Sequence, residues 1–209
     1  MKKTVITIAR SYGSGGKTLG NLLAEDLGIN CYSREILRMA SDESGINEAL
    51  FGEVDEKMKK SPLLFNILKK NPYKGGVLPP ESSDFVSDDN LFNYQAKVIK
   101  DLAAQESCII IGRCADYVLK DHDNCVHVFV CGDMDSKVQR MMHSYSLEES
   151  AAVERIKETD KQRKKYYSYY TGGDWEAASN YDLCLNTGTM TIEEAAEQIL
   201  FYLKQKKYI

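Results

Sequence analysis

The chain has 209 residues, of which 43% are hydrophobic and 28% are charged. This composition indicates a folded globular protein and excludes a disordered polymer, and the length fits one domain. Its 27 basic and 31 acidic side chains give a net charge of -4, so no overall positive field favours binding to nucleic acid.

The N-terminal segment and the cysteines indicate a protein of a reducing compartment. The first apolar run ends at Arg10 and is too short for a signal peptide or a membrane span. The six cysteines form no C-x-x-C pair and have no zinc-finger spacing with the three histidines. We therefore expect a cytoplasmic protein with reduced cysteines and no membrane association.

Hydrophobic periodicity predicts the elements of the first half of the chain. Residues 4–9 (TVITIA) are apolar and β-branched, which predicts a buried strand that ends at a glycine-rich loop. Leucines at helical spacing, followed by Gly28, predict a helix over residues 17–27. Residues 32–70 have a charged, helical pattern, and residues 71–90 are rich in proline, glycine, serine and aspartate, which predicts an exposed loop.

The second half predicts alternating helices and strands. A helix is predicted around residues 91–103, and strands at residues 108–112, 126–130 and 181–186. Asp133 is predicted to cap a helix. A capping-box pattern, Ser146 with Glu149, predicts the start of a long charged helix through Tyr167, and a second one, Thr191 with Glu194, predicts the start of a C-terminal helix. Apolar strands that alternate with helices predict a parallel sheet covered on both faces, with ligands at the carboxyl ends of the strands.

Residues 11–18, SYGSGGKT, lie between the first predicted strand and the first predicted helix. They match G-x-x-x-x-G-K-[ST] except that Ser11 replaces the first glycine. A main chain that wraps around phosphate groups needs small residues, and Gly13, Ser14, Gly15 and Gly16 meet this requirement. The alternative, a flexible glycine-rich turn, is disfavoured by the strand and helix on either side.

This loop predicts a nucleotide site. Lys17 is expected to reach the β- and γ-phosphates of ATP, and the Thr18 hydroxyl is expected to bind Mg²⁺. No guanine-binding N-K-x-D sequence occurs, and the predicted strands after the loop do not end in a Walker B aspartate. A kinase is therefore favoured over a GTPase switch.

Arginines at a strand end and on predicted helices supply candidate phosphate ligands, because guanidinium is planar, bidentate and always charged. Arg113 follows a buried strand at the edge where ligands are expected. For a single helical arginine a solvated surface role is more common, and this applies to Arg38, Arg140, Arg155 and Arg163. The tyrosine-rich residues 159–175 fit either a lid that presents cations to ATP or a helix end packed by tyrosines.

The sequence resembles the cytidylate kinase family, and more closely its cytidylate-kinase-like bacterial branch, through ARSYGSGGKT, YSREILR, IIIGRCADYVL, TDKQRKKYY and YDLCLNTGTMTIEEAAEQI. The resemblance implies an α/β, three-layer P-loop NTPase fold with a central parallel sheet, helices on both faces, a helical acceptor-binding insert and a helical lid. It implies one domain over residues 1–209, with a core at about 1–32, 91–140 and 180–209, an insert at about 33–90 and a lid at about 141–170.

The resemblance also implies an activity, the transfer of the γ-phosphoryl group of ATP to a nucleoside monophosphate such as CMP or dCMP, with Mg²⁺. Acceptor phosphate would be held by Ser33, Arg38 and Arg113. Catalytic roles fall on Lys17, Arg113, Arg140, Asp160 and Arg163.

The chain departs from the family pattern at two positions, and these leave alternatives open. Cys114 stands where the family has aspartate, and Arg155 is offset from another lid arginine. Asp116 could supply a carboxylate nearby or have a structural role. A kinase of a non-nucleotide metabolite and a nucleotide-binding regulatory protein without catalysis are the alternatives, and a monomer or weak homodimer is expected.

Overall fold

The computed structural model describes residues 3–53 and 72–209, and the predictions for residues 54–71 lie outside this range. Within it, five parallel strands form one sheet in the order β2-β3-β1-β4-β5. The central strand pairs with β4 from Val5 opposite Cys125 to Arg10 opposite Val130. The strands are β1 (Val5–Arg10), β2 (Asn30–Tyr32), β3 (Cys108–Ile111), β4 (Cys125–Cys131) and β5 (Leu183–Asn186).

Helices connect the strands and cover both faces of the sheet. Residues 48–53 are also helical, and a 3-10 turn spans Ala178–Asn180. The helices are α1 (Gly16–Leu27), α2 (Glu35–Ser44), α3 (Asp88–Gln105), α4 (Ala115–Val118), α5 (Met134–Tyr145), α6 (Glu149–Thr171) and α7 (Ile192–Gln205). In the described part of the chain, no helix is both long enough and apolar enough to cross a bilayer.

The alternation of side chains along β1 divides the core into two layers. Ile6 and Ile8 pack with residues of α1 and α7, whereas Val5 and Ala9 pack with residues of α2, α3 and the end of α6. Successive residues of a strand point to opposite faces, so a strand that is apolar throughout must be covered on both. The predicted fold class, a parallel sheet between two helical layers, is confirmed.

The helix ends confirm two of the three predicted caps. Asp133 Oδ1 accepts a 2.8 Å hydrogen bond from the main-chain N–H of Ser136 at the start of α5. At α7, Thr191 N–H donates to Glu194 Oε2 (2.8 Å) and Glu194 N–H donates to Thr191 Oγ1 (3.1 Å), which is the predicted capping box. Such a cap stabilises a helix by about 1 kcal/mol.

The capping box predicted at Ser146 and Glu149 is wrong. Ser146 has a φ of 52° and ends α5, and α6 begins at Glu149 after Glu148. An N-cap residue needs extended backbone, so a serine in the left-handed conformation that closes one helix cannot cap the next.

The continuous helical pattern predicted for residues 32–70 is also only partly correct. Residues 30–32 form β2, and α2 ends at Ser44, followed by the C-cap residue Gly45, whose φ is 72° and whose N–H donates to Ser41 O at 2.9 Å. A new helical segment starts at residue 48, where Asn47 Oδ1 accepts a 2.9 Å hydrogen bond from Ala49 N–H. Residues 72–87 lack strands and α-helices, in agreement with the predicted loop.

Candidate active site

The loop between β1 and α1 has the backbone that a phosphate-binding loop requires. Gly13 and Gly15 have φ angles of +81° and +79°, which favour glycine. A Cβ atom at Gly16 would lie 2.7 Å from Arg10 Cβ, and one at Gly15 would lie 2.6 Å from Ile192 Cδ1. Glycine is therefore needed here for both conformation and space.

Protein groups hold the carbonyl groups of this loop. The Ser14 hydroxyl donates to Ser11 O (2.8 Å), and the Thr187 hydroxyl lies 2.7 Å from Ser14 O. Arg140 donates from Nη1 to Gly13 O (2.9 Å) and from Nη2 to Thr187 O (3.0 Å). The predicted catalytic residue Arg140 thus ties the phosphate loop to the segment after β5, and Thr187 is a supporting residue that the sequence analysis did not identify.

Lys17 and Thr18 lie in the first turn of α1 with exposed side chains. Lys17 interacts electrostatically with Glu35 at the start of α2. The pKa of Glu35 lies below its ordinary value because its carboxylate accepts hydrogen bonds from the main-chain N–H groups of Glu35 and Ser33, and because Lys17 and Arg38 are nearby. Lys17 therefore stands where the loop meets the start of the predicted acceptor-binding insert.

A cavity of about 380 Å³ adjoins the phosphate loop. The carboxyl end of β3, the start of α2 and one side of α6 form its walls. Among the described residues, five arginines and one carboxylate contribute to the lining, together with aromatic and small side chains. These residues are Ala9, Arg10, Tyr12, Ser33, Arg34, Ile111, Gly112, Arg113, Cys114, Asp116, Arg155, Thr159, Gln162, Arg163, Tyr166, Tyr167 and Trp175.

A strained turn brings Arg113 to this cavity. Three consecutive residues have positive φ angles, 77° at Gly112, 59° at Arg113 and 52° at Cys114. The left-handed conformation costs a residue other than glycine about 1–2 kcal/mol, and strain of this kind clusters at functional sites. Arg113 lines this cavity, and its role as a phosphate ligand stays a prediction.

The position of the Arg10 side chain explains why residue 112 is glycine. A Cβ atom at Gly112 would collide with Arg10 Nη1, so the Arg10 guanidinium lies directly against the glycine. Arg10 is a cavity residue that the sequence analysis did not assign to the site. Its signal was available, because an arginine at the end of an apolar strand is the same pattern that identified Arg113.

Asp160 and Arg163, predicted as a pair, meet at the phosphate loop. Asp160 Oδ1 accepts a 2.6 Å hydrogen bond from the main-chain N–H of Tyr12, and Arg163 Nη1 lies 3.9 Å from the same oxygen. Arg163 Nη1 also donates to Arg10 O at 2.8 Å. Lys137, which is 8% exposed, completes the group with its Nζ 3.3 Å from Asp160 Oδ2.

Asp116 is a buried carboxylate in the cavity wall. It is 5% exposed, and its Oδ2 accepts a 2.7 Å hydrogen bond from the Tyr167 hydroxyl. Burial raises the pKa of Asp116 to about 6, although the hydrogen bonds it accepts act in the opposite direction. The structure therefore brings Asp116 to the site that the sequence alone left undecided.

Arg34, the N-cap residue of α2, and Arg38, within α2, differ in their position relative to the cavity. Ser33 and Arg34 line the cavity, whereas Arg38, one turn further along, is exposed and is not among the described lining residues. The role of Arg38 as a phosphate ligand stays a prediction. Arg34 was not singled out, because the family spacing selected Arg38.

The tyrosine-rich end of α6 packs into the core and also contributes to the cavity wall, and its role as a lid that presents cations to ATP stays a prediction. Tyr167 and Tyr170 are 5% and 2% exposed and belong to the core layer with α3, where Tyr170 stacks on Phe92 at 4.0 Å. Tyr166, Tyr167 and Trp175 also line the cavity.

The sheet and the loop between β1 and α1 define the class of protein: this is a P-loop kinase fold. The chain belongs to the cytidylate kinase-like family, whose model matches residues 5–189. It is 25% identical over 201 residues to a cytidylate kinase from Methanobrevibacter smithii, covering 96% of this chain and 98% of that protein. A uronate isomerase from Corynebacterium glutamicum is 26% identical over 123 residues. This match covers 57% of this chain and 23% of the length of that relative.

Solved structures share this fold. An uncharacterized protein from Eubacterium ventriosum has a TM-score of 0.70 and 27% identity, covering 97% of this chain and 99% of its own. A shikimate kinase from Bacteroides thetaiotaomicron has a TM-score of 0.54 at 12% identity, over 96% of this chain and 98% of its own, which is a likeness of fold alone. Family and fold together support a phosphotransferase that acts on a small molecule.

Proposed function

We propose that the protein transfers the γ-phosphoryl group of ATP to a nucleoside monophosphate such as CMP or dCMP. One observation carries the proposal: a cavity whose walls include arginines and a buried carboxylate opens beside the phosphate loop. A phosphoryl acceptor needs cations at its phosphate and a site next to the bound triphosphate. We also expect a cytoplasmic protein that is a monomer or a weak homodimer.

The residues of the loop fit a triphosphate. Added Cβ atoms at Gly15 and Gly16 would clash with Ile192 and Arg10, so the main chain has the close, glycine-dependent path that lets N–H groups approach phosphate. Lys17 would neutralise the phosphates, and the N-terminus of α1 adds the positive end of its dipole. ATP, when bound, supplies the phosphoryl group.

Thr18 would hold Mg²⁺ through its hydroxyl. Residues 3–53 and 72–209 contain no cluster of three His, Cys, Asp or Glu side chains that could bind a metal. This fits magnesium bound mainly by phosphates and water, since Mg²⁺ keeps several waters and needs few protein ligands.

In the cavity, the arginines would bind and orient the acceptor. Arg113 and Arg34 would hold its phosphate, with Ser33 as a hydrogen-bond donor, and Arg163, oriented by Asp160, would stabilise charge on the transferring group. Enclosure by α6 would exclude water, which would otherwise accept the phosphoryl group.

Asp116 would discriminate among bases. Above its pKa of about 6 the carboxylate only accepts hydrogen bonds, and the amino group of cytosine is a donor, whereas uracil has an oxygen at that position. Tyr166, Tyr167 and Trp175 provide aromatic surface in the same cavity for a planar base. This arrangement favours CMP or dCMP over UMP.

A kinase of a non-nucleotide metabolite is the second candidate. Asp116 favours it in one respect, because a buried carboxylate with a pKa of about 6 can take a proton from an alcohol at neutral pH. Cys114, at the position of the family aspartate, is compatible with a changed acceptor.

The test is an ADP-release screen against CMP, dCMP, UMP, AMP, sugars and hydroxy acids at equal concentrations. Stimulation by CMP or dCMP with less by UMP supports the proposal, and stimulation only by a sugar or hydroxy acid supports the second candidate. Tight ATP binding without stimulation by any acceptor would indicate a regulatory protein that has lost catalysis.

A further inference from the structure

Tyr12 connects the phosphate loop to α6 through its ring. The Cζ atom of Arg163 lies 5.4 Å from the ring centroid, and that of Arg155 lies 5.8 Å from it. Both distances fall within the range of a cation–π interaction, which extends to about 6 Å. Tyr12, Arg155 and Arg163 all line the cavity beside the loop.

The two arginines that meet at the Tyr12 ring are two turns apart on α6. Residues eight positions apart on a helix are separated by about 12 Å along its axis, so Arg155 and Arg163 are not neighbours on α6. One ring nevertheless contacts both guanidinium groups. Arg155 is further held by Tyr145, whose ring centroid lies 5.5 Å from its Cζ.

The position of Tyr12 in the loop permits a large side chain. The requirement for small residues falls on Gly13, Gly15 and Gly16, where an added Cβ atom would meet other atoms within 3.2 Å. At Tyr12 the main chain is instead fixed by its N–H group, which donates to Asp160 Oδ1 at 2.6 Å. The ring therefore projects from an anchored point of the loop.

We propose that Tyr12 is a positioning residue, whose ring holds Arg155 and Arg163 at the phosphate loop in the orientation that phosphoryl transfer requires. It acts through the arginines and does not touch the reacting groups. Long arginine side chains lose considerable rotamer freedom when they are fixed, and a ring that fixes them beforehand lowers the barrier to transfer. The kinetic consequence rests on the proposed function.

The experiment compares Tyr12→Leu with Tyr12→Phe. Both variants keep the main-chain N–H that binds Asp160, so they isolate the ring. Since one cation–π contact changes an equilibrium by about two- to thirtyfold, we expect Tyr12→Leu to lower kcat about tenfold, with the Kd for ATP within about twofold of wild type. Tyr12→Phe keeps the ring and should retain at least about half of kcat.

A matched control removes a similar contact elsewhere. Lys206 Nζ lies 5.3 Å from the Tyr202 ring centroid on α7, on the opposite helical layer. Tyr202→Leu should leave kcat unchanged. Equal losses in Tyr12→Leu and Tyr12→Phe, or full activity in Tyr12→Leu, would overturn the inference.

A double-mutant cycle tests whether Tyr12 acts through arginine. In an Arg155→Ala background, Tyr12→Leu should cost less in kcat than in the wild-type background, because part of the interaction is already lost. Full additivity of the two losses would show that the ring acts by another route.

A readout without catalysis separates this inference from the proposed function. The ring current of Tyr12 should shift the NMR signals of the Arg163 side chain, and this shift should persist in Tyr12→Phe and disappear in Tyr12→Leu. For Arg155, which also lies 5.5 Å from the Tyr145 ring centroid, Tyr12→Leu should remove only the part of the shift that is due to Tyr12. Absence of these shifts in the wild-type protein refutes the contact, whereas an acceptor screen without any active compound refutes only the proposed function.

Discussion

The Tyr167 hydroxyl donates a 2.7 Å hydrogen bond to Asp116 Oδ2, which joins the last turns of α6 to α4 in the wall of the cavity. Burial and the neighbouring carboxylate raise the pKa of Tyr167, so the phenol remains a donor. Both residues line the cavity together with Trp175.

Asp116→Asn should increase stability at neutral pH. The pKa of Asp116 is raised from 3.8 to about 6 in the folded protein, so the folded state binds the proton more tightly and its contribution to stability is lost as pH rises from about 4 to 6. This loss amounts to about 3 kcal/mol, which the neutral amide avoids while still accepting from Tyr167.

Urea unfolding from pH 4.5 to 8 measures this effect. The wild-type protein should lose stability relative to Asp116→Asn as pH rises through 6, and parallel curves would show that the carboxylate is not buried as described. Asp84→Asn, at an exposed position, should change stability by less than about 0.5 kcal/mol. If Asp116 also binds the acceptor, the same variant should raise the acceptor KM.

Arg34→Ala should weaken acceptor binding more than Arg38→Ala. Arg34 lines the cavity and Arg38 does not, although both belong to the same helical segment and both are exposed. Loss of a charge-assisted hydrogen bond to phosphate costs about 1.5–3 kcal/mol, so the KM for the acceptor should rise about ten- to a hundredfold for Arg34→Ala. Steady-state measurement of the acceptor KM for both variants shows which arginine binds the acceptor phosphate. A larger effect of Arg38→Ala would support the assignment made from the family spacing.

Gly16→Ala should damage the phosphate loop. Its new Cβ atom would lie 2.7 Å from Arg10 Cβ and 2.9 Å from Arg10 Cγ, so the strand end or the start of α1 must move. Overpacking of this kind costs about 1–3 kcal/mol, and ATP affinity should fall as well. Thermal unfolding and calorimetry measure both quantities. Gly52→Ala is the matched control, since among the described residues no atom beyond its own helix backbone and chain neighbours lies within 4 Å of the added Cβ, and alanine favours a helix.

Lys17→Ala should abolish turnover while the protein stays folded. The side chain is exposed at the start of α1, so its removal leaves the core intact. ADP release and circular dichroism provide the two measurements, with Lys204→Ala as an exposed lysine on α7 for comparison. Near-normal kinase activity in Lys17→Ala would exclude the loop as the catalytic phosphate site.

The fold was predictable because its signals are local. Apolar β-branched runs identified β1, β3 and β4, an apolar segment without β-branched residues indicated β5, and a glycine after leucines at helical spacing located the end of α1. The three residues of β2 gave no such signal, because Asn30 and Tyr32 occupy an edge strand that takes its structure from pairing with β3. Ser146 failed as a predicted cap because the same residue types serve turns and caps, and only the tertiary course of the chain selects one.

Some residues of the site were predictable because glycine in a tight loop and arginine at the end of a buried strand each serve few purposes. The glycines of the loop and Arg113 follow from the close path of the main chain and from the strand end. The convergence of Asp116, Tyr167 and Tyr12 on one cavity depends on how α4 and α6 pack, which sequence spacing does not encode. The catalytic and binding roles predicted for the site residues, Ser33 and Arg38 included, and the boundaries of insert and lid stay predictions.

Tyr167 and Tyr170 anchor the C-terminal end of α6 in the core layer with α3, and Ala152 and Ile156 anchor its N-terminal half against Val138 and Met141 of α5. Arg155 lies beside this second anchor, and Arg163 lies about 6 Å along the axis from Tyr167, at 1.5 Å per residue. Because α5 also carries Arg140, which donates to Gly13 O, any movement of Arg155 relative to the phosphate loop would have to displace α5 or break its packing on α6.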